Sequence, residues 1–166
     1  MTADRGAAER LSWAVVPIGV VSTPFTSLAD CPRNGRQPDP PPLCHATLFP
    51  EFEPGLRSIE GFSHLILLTW LDQAPPLRLV FTPPFDGTAR GVFATRAPWR
   101  PNPIGVTVAL FEGLDGPGRL RLRYMDCVDG TKLLDIKPYL PTVDAEPGAA
   151  MGWLSEHATR RAADQA

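Results

Sequence analysis

Twenty prolines and fourteen glycines punctuate this chain of 166 residues, and they set the limits on its fold. Proline removes a backbone donor and breaks a helix interior, so a chain cut this often is poorly suited to a helical bundle. What suits it is a set of short strands between turns, an all-β or β-rich domain. A hydrophobic fraction of 43% is enough for a real core, and the length fits one domain, with or without tails. No apolar run reaches the length that spans a bilayer. Met1–Arg10 is polar and small, with no apolar leader segment, so the cytosol is the expected compartment.

The strands are read from apolar and β-branched runs. They are expected at Ser12–Ser22, Ala46–Phe49, Gly61–Leu71, Leu77–Phe81, Gly91–Thr95, Ile104–Glu112, Arg119–Asp126 and Leu133–Pro141. The continuous run from Leu65 reads as a strand buried on both faces at the centre of the sheet. Arg119–Arg123 alternates Arg with Leu, which gives one wet face and one buried face. Pro54–Ile59 fits a single helical turn, and Ala149–Arg161 has helical composition with Trp153, Leu154 and His157 on a shared face. Seven or so short strands with little helix predict a mainly β fold, a small single-domain β-barrel. The boundaries expected are an arm at 1–11, the barrel at 12–145 and a helix-like tail at 146–166.

The chemistry concentrates at Gly91–Gly105, GVFATRAPWRPNPIG. Arg96 and Arg100 stand four residues apart on a backbone stiffened by Pro98, Pro101 and Pro103. In an arbitrary loop such arginines are simply solvated, but a rigid loop at a strand end is also how a scaffold presents charge to a ligand. Three other segments carry polar residues at strand ends or in long loops. They are Arg36-Gln37-Pro38 within the long proline-rich loop 23–42, Asp72-Gln73, and Val128-Asp129-Gly130-Thr131. Together the four segments fit one small-molecule cleft on a β scaffold.

Net charge is −2, so no global basic field captures nucleic acid. Locally, Arg90, Arg96, Arg100, Arg119, Arg121 and Arg123 face only Glu112 and Asp115, a net of +4 compatible with phosphate contacts. Cys31, Cys44 and Cys127 are too few for a disulfide framework, and their spacing beside His45 fits no zinc pattern. Free thiols and no metal are expected.

Three long stretches, in this order, resemble the TsaA-like (TrmO) family: Glu60–Leu65, Gly91–Gly105 and Asp129–Pro141. Pro17–Val20 with Ser22–Phe25 fits the family's first strand and loop, so the resemblance covers roughly residues 14–144. It implies a small β-barrel, usually dimeric, that binds S-adenosylmethionine. Its best-known members methylate N6 of a threonylcarbamoylated adenosine beside the tRNA anticodon. The alternatives are a methyltransferase with another small-molecule or RNA acceptor, and a non-catalytic S-adenosylmethionine-binding module. The resemblance implies cofactor contacts from Arg36, Gln37, Asp72, Gln73, Arg96, Val106, Val128, Asp129, Gly130 and Thr131. Arg100, Asn102 and Lys137 are the expected substrate contacts, and Asp129 or Asp72 the candidate base. Arg96 stays protonated, so its role is to pair with a cofactor carboxylate or a substrate oxygen. Two positions depart from the family: Gly35 stands where bacterial members often have Pro, and Asp72 where they often have His. Those bacterial members also carry a C-terminal domain, and a short form without it is expected here. His64 reads as a hydrogen-bonded core histidine, and Asp135 with Lys137 as an ion pair, structural or near the site. Trp99 is a candidate for stacking on a base or covering a neighbouring subunit, and Trp70 is expected in the core.

Overall fold

The computed structural model describes residues 14–155. Its strands are β1 (Gly19–Ser22), β2 (Cys44–Leu48), β3 (His64–Trp70), β4 (Val80–Phe81), β5 (Arg90–Gly91), β6 (Ile104–Leu114), β7 (Arg119–Arg123) and β8 (Lys132–Pro138). Six of them close into a barrel in the order β1-β2-β7-β6-β3-β8, and every neighbouring pair is antiparallel. Closure removes the exposed sheet edges that so short a set of strands would otherwise carry. The β4–β5 pair forms a separate two-stranded arm.

The barrel interior is filled from alternate positions of each strand. Val21, Ala46, Leu65, Leu67, Ala109, Leu120, Leu122 and Leu133 are fully buried there. On β7 the leucines point in. On its outer side Arg123 and Arg121 meet Glu112 of β6 at 2.6 and 3.5 Å. β3 pairs with β6 along all seven residues and with β8 across a bulge at Leu68/Thr69. It is central, as its apolar run suggested, but only Leu65, Leu67 and Thr69 are buried, and Ile66, Leu68 and Trp70 are half-buried. A closed barrel of this size has a dry inside and a partly wet outside, so a central strand need not be buried on both faces.

Several expected elements are shorter. Within Ser12–Ser22 the described strand is β1, which starts after Pro17, and Ser12 and Trp13 lie outside the described residues. Of Leu77–Phe81 only Val80–Phe81 pairs. Gly91–Thr95 is not a strand: β5 ends at Gly91 and Val92–Ala94 is a 3-10 turn. The Val92 carbonyl explains it. It accepts from the Thr95 N–H, the Thr95 hydroxyl and Arg100, so local donors take what a partner strand would need. β7 stops at Arg123 rather than Asp126, because Tyr124 takes φ 71° and turns the chain away.

The helical turn expected at Pro54–Ile59 is a 3-10 turn at Pro50–Leu56, started by a proline that needs no donor. A short helix at Pro141–Asp144 follows β8 inside the expected barrel boundary, and the tail holds a 3-10 turn at Gly152–Leu154. The rest of the expected helix, with His157, lies outside the described residues, as does the arm at 1–11. Trp153 folds back onto the β4–β5 arm. Its indole N–H donates to the Ala94 carbonyl at 2.9 Å, and its ring stacks on Phe85 at 6.0 Å.

Candidate functional site

Where β3 ends and β6 and β8 begin, the barrel opens into a cavity of about 770 Å³. Its wall comes from Leu28–Asn34 of the β1–β2 loop, Thr69–Pro75 at the exit of β3, and Arg96–Asn102. Ile104–Thr107 of β6 and Asp126–Val128 with Thr131 complete it. The volume lies in the range of ligand pockets. The opposite end of the barrel holds a smaller cavity of about 360 Å³, lined mainly by apolar side chains.

The proline-rich loop is held by its own side chains. Arg100 Nη1 donates to the carbonyls of Val92 at 2.8 Å, Thr95 at 2.9 Å and Ala97 at 3.3 Å. One arginine thus fixes the turn from which the other, Arg96, projects. Arg96 is exposed and lines the cavity. The Leu71 N–H donates to the Pro103 carbonyl at 2.8 Å, which ties the exit of β3, with Asp72 and Gln73, to the end of the same loop. Trp99 lines the cavity with its edge against Phe81, ring centroids 4.4 Å apart.

The β1–β2 loop is pinned at Gly35. A Cβ there would sit on the Tyr124 carbonyl, so only glycine allows this contact. Beside it the Arg36 guanidinium stacks on the Tyr124 ring at 3.8 Å. Gln37 Oε1 accepts from the Arg33 N–H at 2.8 Å and closes the turn. The Val128–Thr131 turn is clamped to the strand leaving β1. Asp129 Oδ1 accepts from the Thr23 N–H at 3.0 Å, and the Gly130 N–H donates to the Val21 carbonyl at 2.9 Å. The Thr131 hydroxyl donates back to the Val128 carbonyl at 2.6 Å.

Of the residues expected at the site, the fold brings Asp72, Gln73, Arg96, Arg100, Asn102, Val106, Val128 and Thr131 onto one cavity wall. Arg36, Gln37, Asp129 and Gly130 stand behind that wall in the contacts just described. Lys137 lies near the far end of β8, 2.6 Å from Asp135 in an exposed ion pair. His64 also lies away from the cavity. It is half-buried, with Nδ1 3.0 Å from the Ser63 hydroxyl and its ring edge-on to Tyr139.

The wall also contains residues that the sequence did not mark: Arg33, Thr69, Thr107 and Asp126, with Cys31 and Cys127. Asp126 is half-buried, and its Oδ1 accepts from the Thr107 hydroxyl at 3.2 Å. Burial raises its pKa above the ordinary carboxylate value. Hydrogen bonds from Thr107 and from the backbone N–H groups of Asp126 and Gly35 oppose this, as does the charge of Arg96. No periodic signal reaches Asp126, because β7 has already ended at Arg123. The cysteines are free thiols, and burial pushes Cys127 up to about 12 and Cys44 up to about 11. They are therefore protonated and poor nucleophiles. Among the described residues no His, Cys, Asp or Glu cluster could hold a metal ion, and no helix is long and apolar enough to cross a membrane.

The sequence compares with known proteins as follows. A probable S-adenosyl-L-methionine-binding protein of Archaeoglobus fulgidus is 44% identical over 84% of this chain and 37% of its own length. A tRNA (adenine(37)-N6)-methyltransferase of Eikenella corrodens is 49% identical over 46% of each chain. The crystal structure of TrmO from Pseudomonas aeruginosa superimposes with a TM-score of 0.72 at 38% identity, over 87% of this chain and 63% of that one. The chain thus spans less than two thirds of the length of each of these relatives. Residues 20–145, which include all eight strands but the first residue of β1, match the model of the tRNA-methyltransferase O N-terminal domain, and the chain belongs to that family.

Proposed function

We infer that the cavity at the barrel mouth holds S-adenosylmethionine, and that the chain is a methyltransferase using it. The acceptor we propose is N6 of threonylcarbamoyl-adenosine beside the tRNA anticodon. The observation that carries this reading is the gathering of Asp72, Gln73, Arg96, Val106, Val128 and Thr131, all cofactor contacts that the family resemblance implies, onto one cavity wall with both signs of charge and an apolar floor. The donor set fits the cofactor. Arg33 and Arg96 suit its carboxylate, Asp72 and Gln73 suit its ammonium and sulfonium side, and Leu71, Ile104, Val106 and Val128 offer apolar contact to an adenine ring. When bound, S-adenosylmethionine supplies an already activated methyl group.

The chain's own residues bind, orient and exclude water. Arg100 holds the loop rigid, so that Arg96 meets its partner without first being ordered. Asn102 and the unused face of the Arg100 guanidinium are offered to the acceptor, and Trp99 to a base. Arg36, Gln37, Asp129 and Gly130 shape the wall through the contacts that pin the two loops. The chain works as a homodimer in the cytosol. What supports the dimer is the exposed apolar side chains of the β4–β5 arm, where Val80 and the following Phe93 are 64% and 73% exposed.

The test is calorimetric titration of S-adenosylmethionine into the wild type and Arg96→Ala, followed by transfer of labelled methyl to tRNA with and without the threonylcarbamoyl group. Saturable binding lost in the variant, with label only on the modified tRNA, is the expected result. Binding without any transfer would leave a binding module. Transfer to unmodified tRNA or to a small molecule would replace the acceptor. Light scattering at a single-chain mass would remove the dimer.

A further inference from the structure

The acceptor nitrogen in this reading is a poor nucleophile. Its lone pair is drawn into both the purine ring and the carbamoyl carbonyl, and it carries one hydrogen. Methylation there needs a base. Two carboxylates line the cavity, Asp72 and Asp126. Asp72 is exposed beside the exit of β3 and is well hydrated. Asp129, behind the wall, has one oxygen occupied by the Thr23 N–H. Asp126 alone is both half-buried and on the wall, with Oδ1 held by the Thr107 hydroxyl. A carboxylate has about four acceptor positions, so these bonds orient it without filling it.

We propose that Asp126 is the catalytic base, taking the N6 proton of the acceptor as the methyl group arrives. This rests on the functional reading above. The step balances. The N–H proton goes to Asp126, and the freed electron pair on nitrogen forms the N–C bond. The C–S bond breaks with its pair onto sulfur, and Asp126 later returns the proton to water.

The surroundings suit the task. A carboxylate held above its ordinary pKa is a stronger base than one free in water. The groups that face it set its protonation. Arg96, from the proline loop, favours the ionised form. Cys31 of the β1–β2 loop and the neighbouring Cys127 are neutral thiols. Arg33, Asp72 and Arg100 are the other charged groups on the wall. Arg96 then has two effects, anchoring the cofactor and keeping Asp126 from protonating too early.

The experiment uses the full chain, Asp126→Asn and Asp126→Glu. Asparagine keeps the size and an oxygen for Thr107 but cannot take a proton. With tRNA carrying threonylcarbamoyl-adenosine, kcat should fall about 100-fold or more in Asp126→Asn, the usual range for a lost general base. The S-adenosylmethionine Kd and the tRNA KM should stay within about threefold, and Asp126→Glu should recover part of the rate. The wild-type kcat should decline as pH falls through the Asp126 pKa, and Asp126→Asn should lack that limb. Carbon-13 NMR of the Asp126 carboxyl in the protein alone gives a readout independent of turnover. It should titrate above the ordinary carboxylate value, and higher still in Arg96→Ala.

Wild-type turnover in Asp126→Asn would overturn the proposal. So would a Kd that weakens in parallel with kcat, which would make Asp126 a cofactor ligand instead. An ordinary NMR titration would also count against it. A wild type that binds the cofactor but leaves this tRNA unmethylated would overturn the acceptor first and the base with it, a pattern distinct from a variant-specific failure.

Discussion

The two ends of the barrel are built from different materials. At one end Ile18, Leu48, Leu56, Ile59 and Leu65 surround a cavity of about 360 Å³ under the Pro50–Leu56 turn, with Arg57 and Asp135 its charged members. At the other, loops enclose about 770 Å³, and their shape is set by side chains bonded to main-chain carbonyls. The first end is held by burial, which is non-directional and tolerates small shifts. The second is held by directional bonds, which fix positions within narrow limits. Stability and ligand geometry are therefore separable in this fold. A substitution in the barrel interior should cost folding energy and spare binding, and a substitution in the loops should do the reverse.

The largest expected effect lies in the interior. Leu67 on β3 is fully buried, and Leu67→Ala should cost about 2–5 kcal/mol in urea unfolding. While the protein is still folded, its affinity for S-adenosylmethionine should stay within about twofold. A parallel loss of affinity would show that the mouth senses interior packing, and the contrast would collapse. Gly35→Ala comes next. Its Cβ meets backbone, not a flexible side chain, so the β1–β2 loop must lift off Tyr124. The cost in stability should be about 1–3 kcal/mol, typical of overpacking. Calorimetry should nonetheless show a fall in affinity of roughly tenfold or more, equivalent to about 1.4 kcal/mol. Full affinity would mean that the loop is not part of the site.

Arg100→Ala sharpens the comparison within one loop. It removes three bonds to carbonyls and touches no residue of the barrel core. A loss on the order of 1–3 kcal/mol is expected for charged hydrogen bonds, much of it local. Faster amide exchange confined to residues 92–97, with weaker cofactor binding, is the predicted signature. Arg100→Lys should restore little, since a single ammonium does not replace the planar fork.

Asp126→Asn reports on stability as well as on turnover. Burial raises the folded-state pKa of Asp126, so the native protein binds its proton more tightly than the unfolded chain does. The wild type is therefore penalised at pH above the raised pKa, and the penalty fades as pH falls to the ordinary carboxylate value. The variant should be more stable than the wild type at neutral pH, with the gap closing in acid. A gap independent of pH would show that the carboxylate is not destabilised by its site.

The contrast between the two ends also explains what could be read in advance. The alternation of Arg119–Arg123, the apolar run from Leu65 and the proline count were enough for a β-barrel, because strand burial follows a period that sequence displays. The family resemblance brought in Arg96, Asp72, Gln73 and Thr131, which the fold gathers on one wall. Other features depend on contacts between distant segments and leave no period. Val92–Ala94 is a turn because Arg100, eight residues on, takes the Val92 carbonyl. Arg36 stacks on Tyr124, which is remote in sequence. Asp126 lies beyond the end of β7, where the alternation that would have placed it has stopped.

The smallest effect is expected at Lys137. Its ammonium is 2.6 Å from Asp135, and both groups are exposed, at 59% and 40%. Exposed pairs of this kind contribute about 0–1 kcal/mol, because water screens them and two long side chains must be ordered. In register Lys137 faces Ile66 on β3, toward the end of the barrel away from Thr69 and the mouth. Lys137→Ala should therefore leave both the unfolding midpoint and the cofactor affinity nearly unchanged. If affinity for tRNA fell while cofactor affinity held, and the loss vanished at high salt, Lys137 would be a phosphate contact outside the cavity. The acceptor surface would then extend along β8, and the division between a structural end and a functional end would hold for the cofactor only.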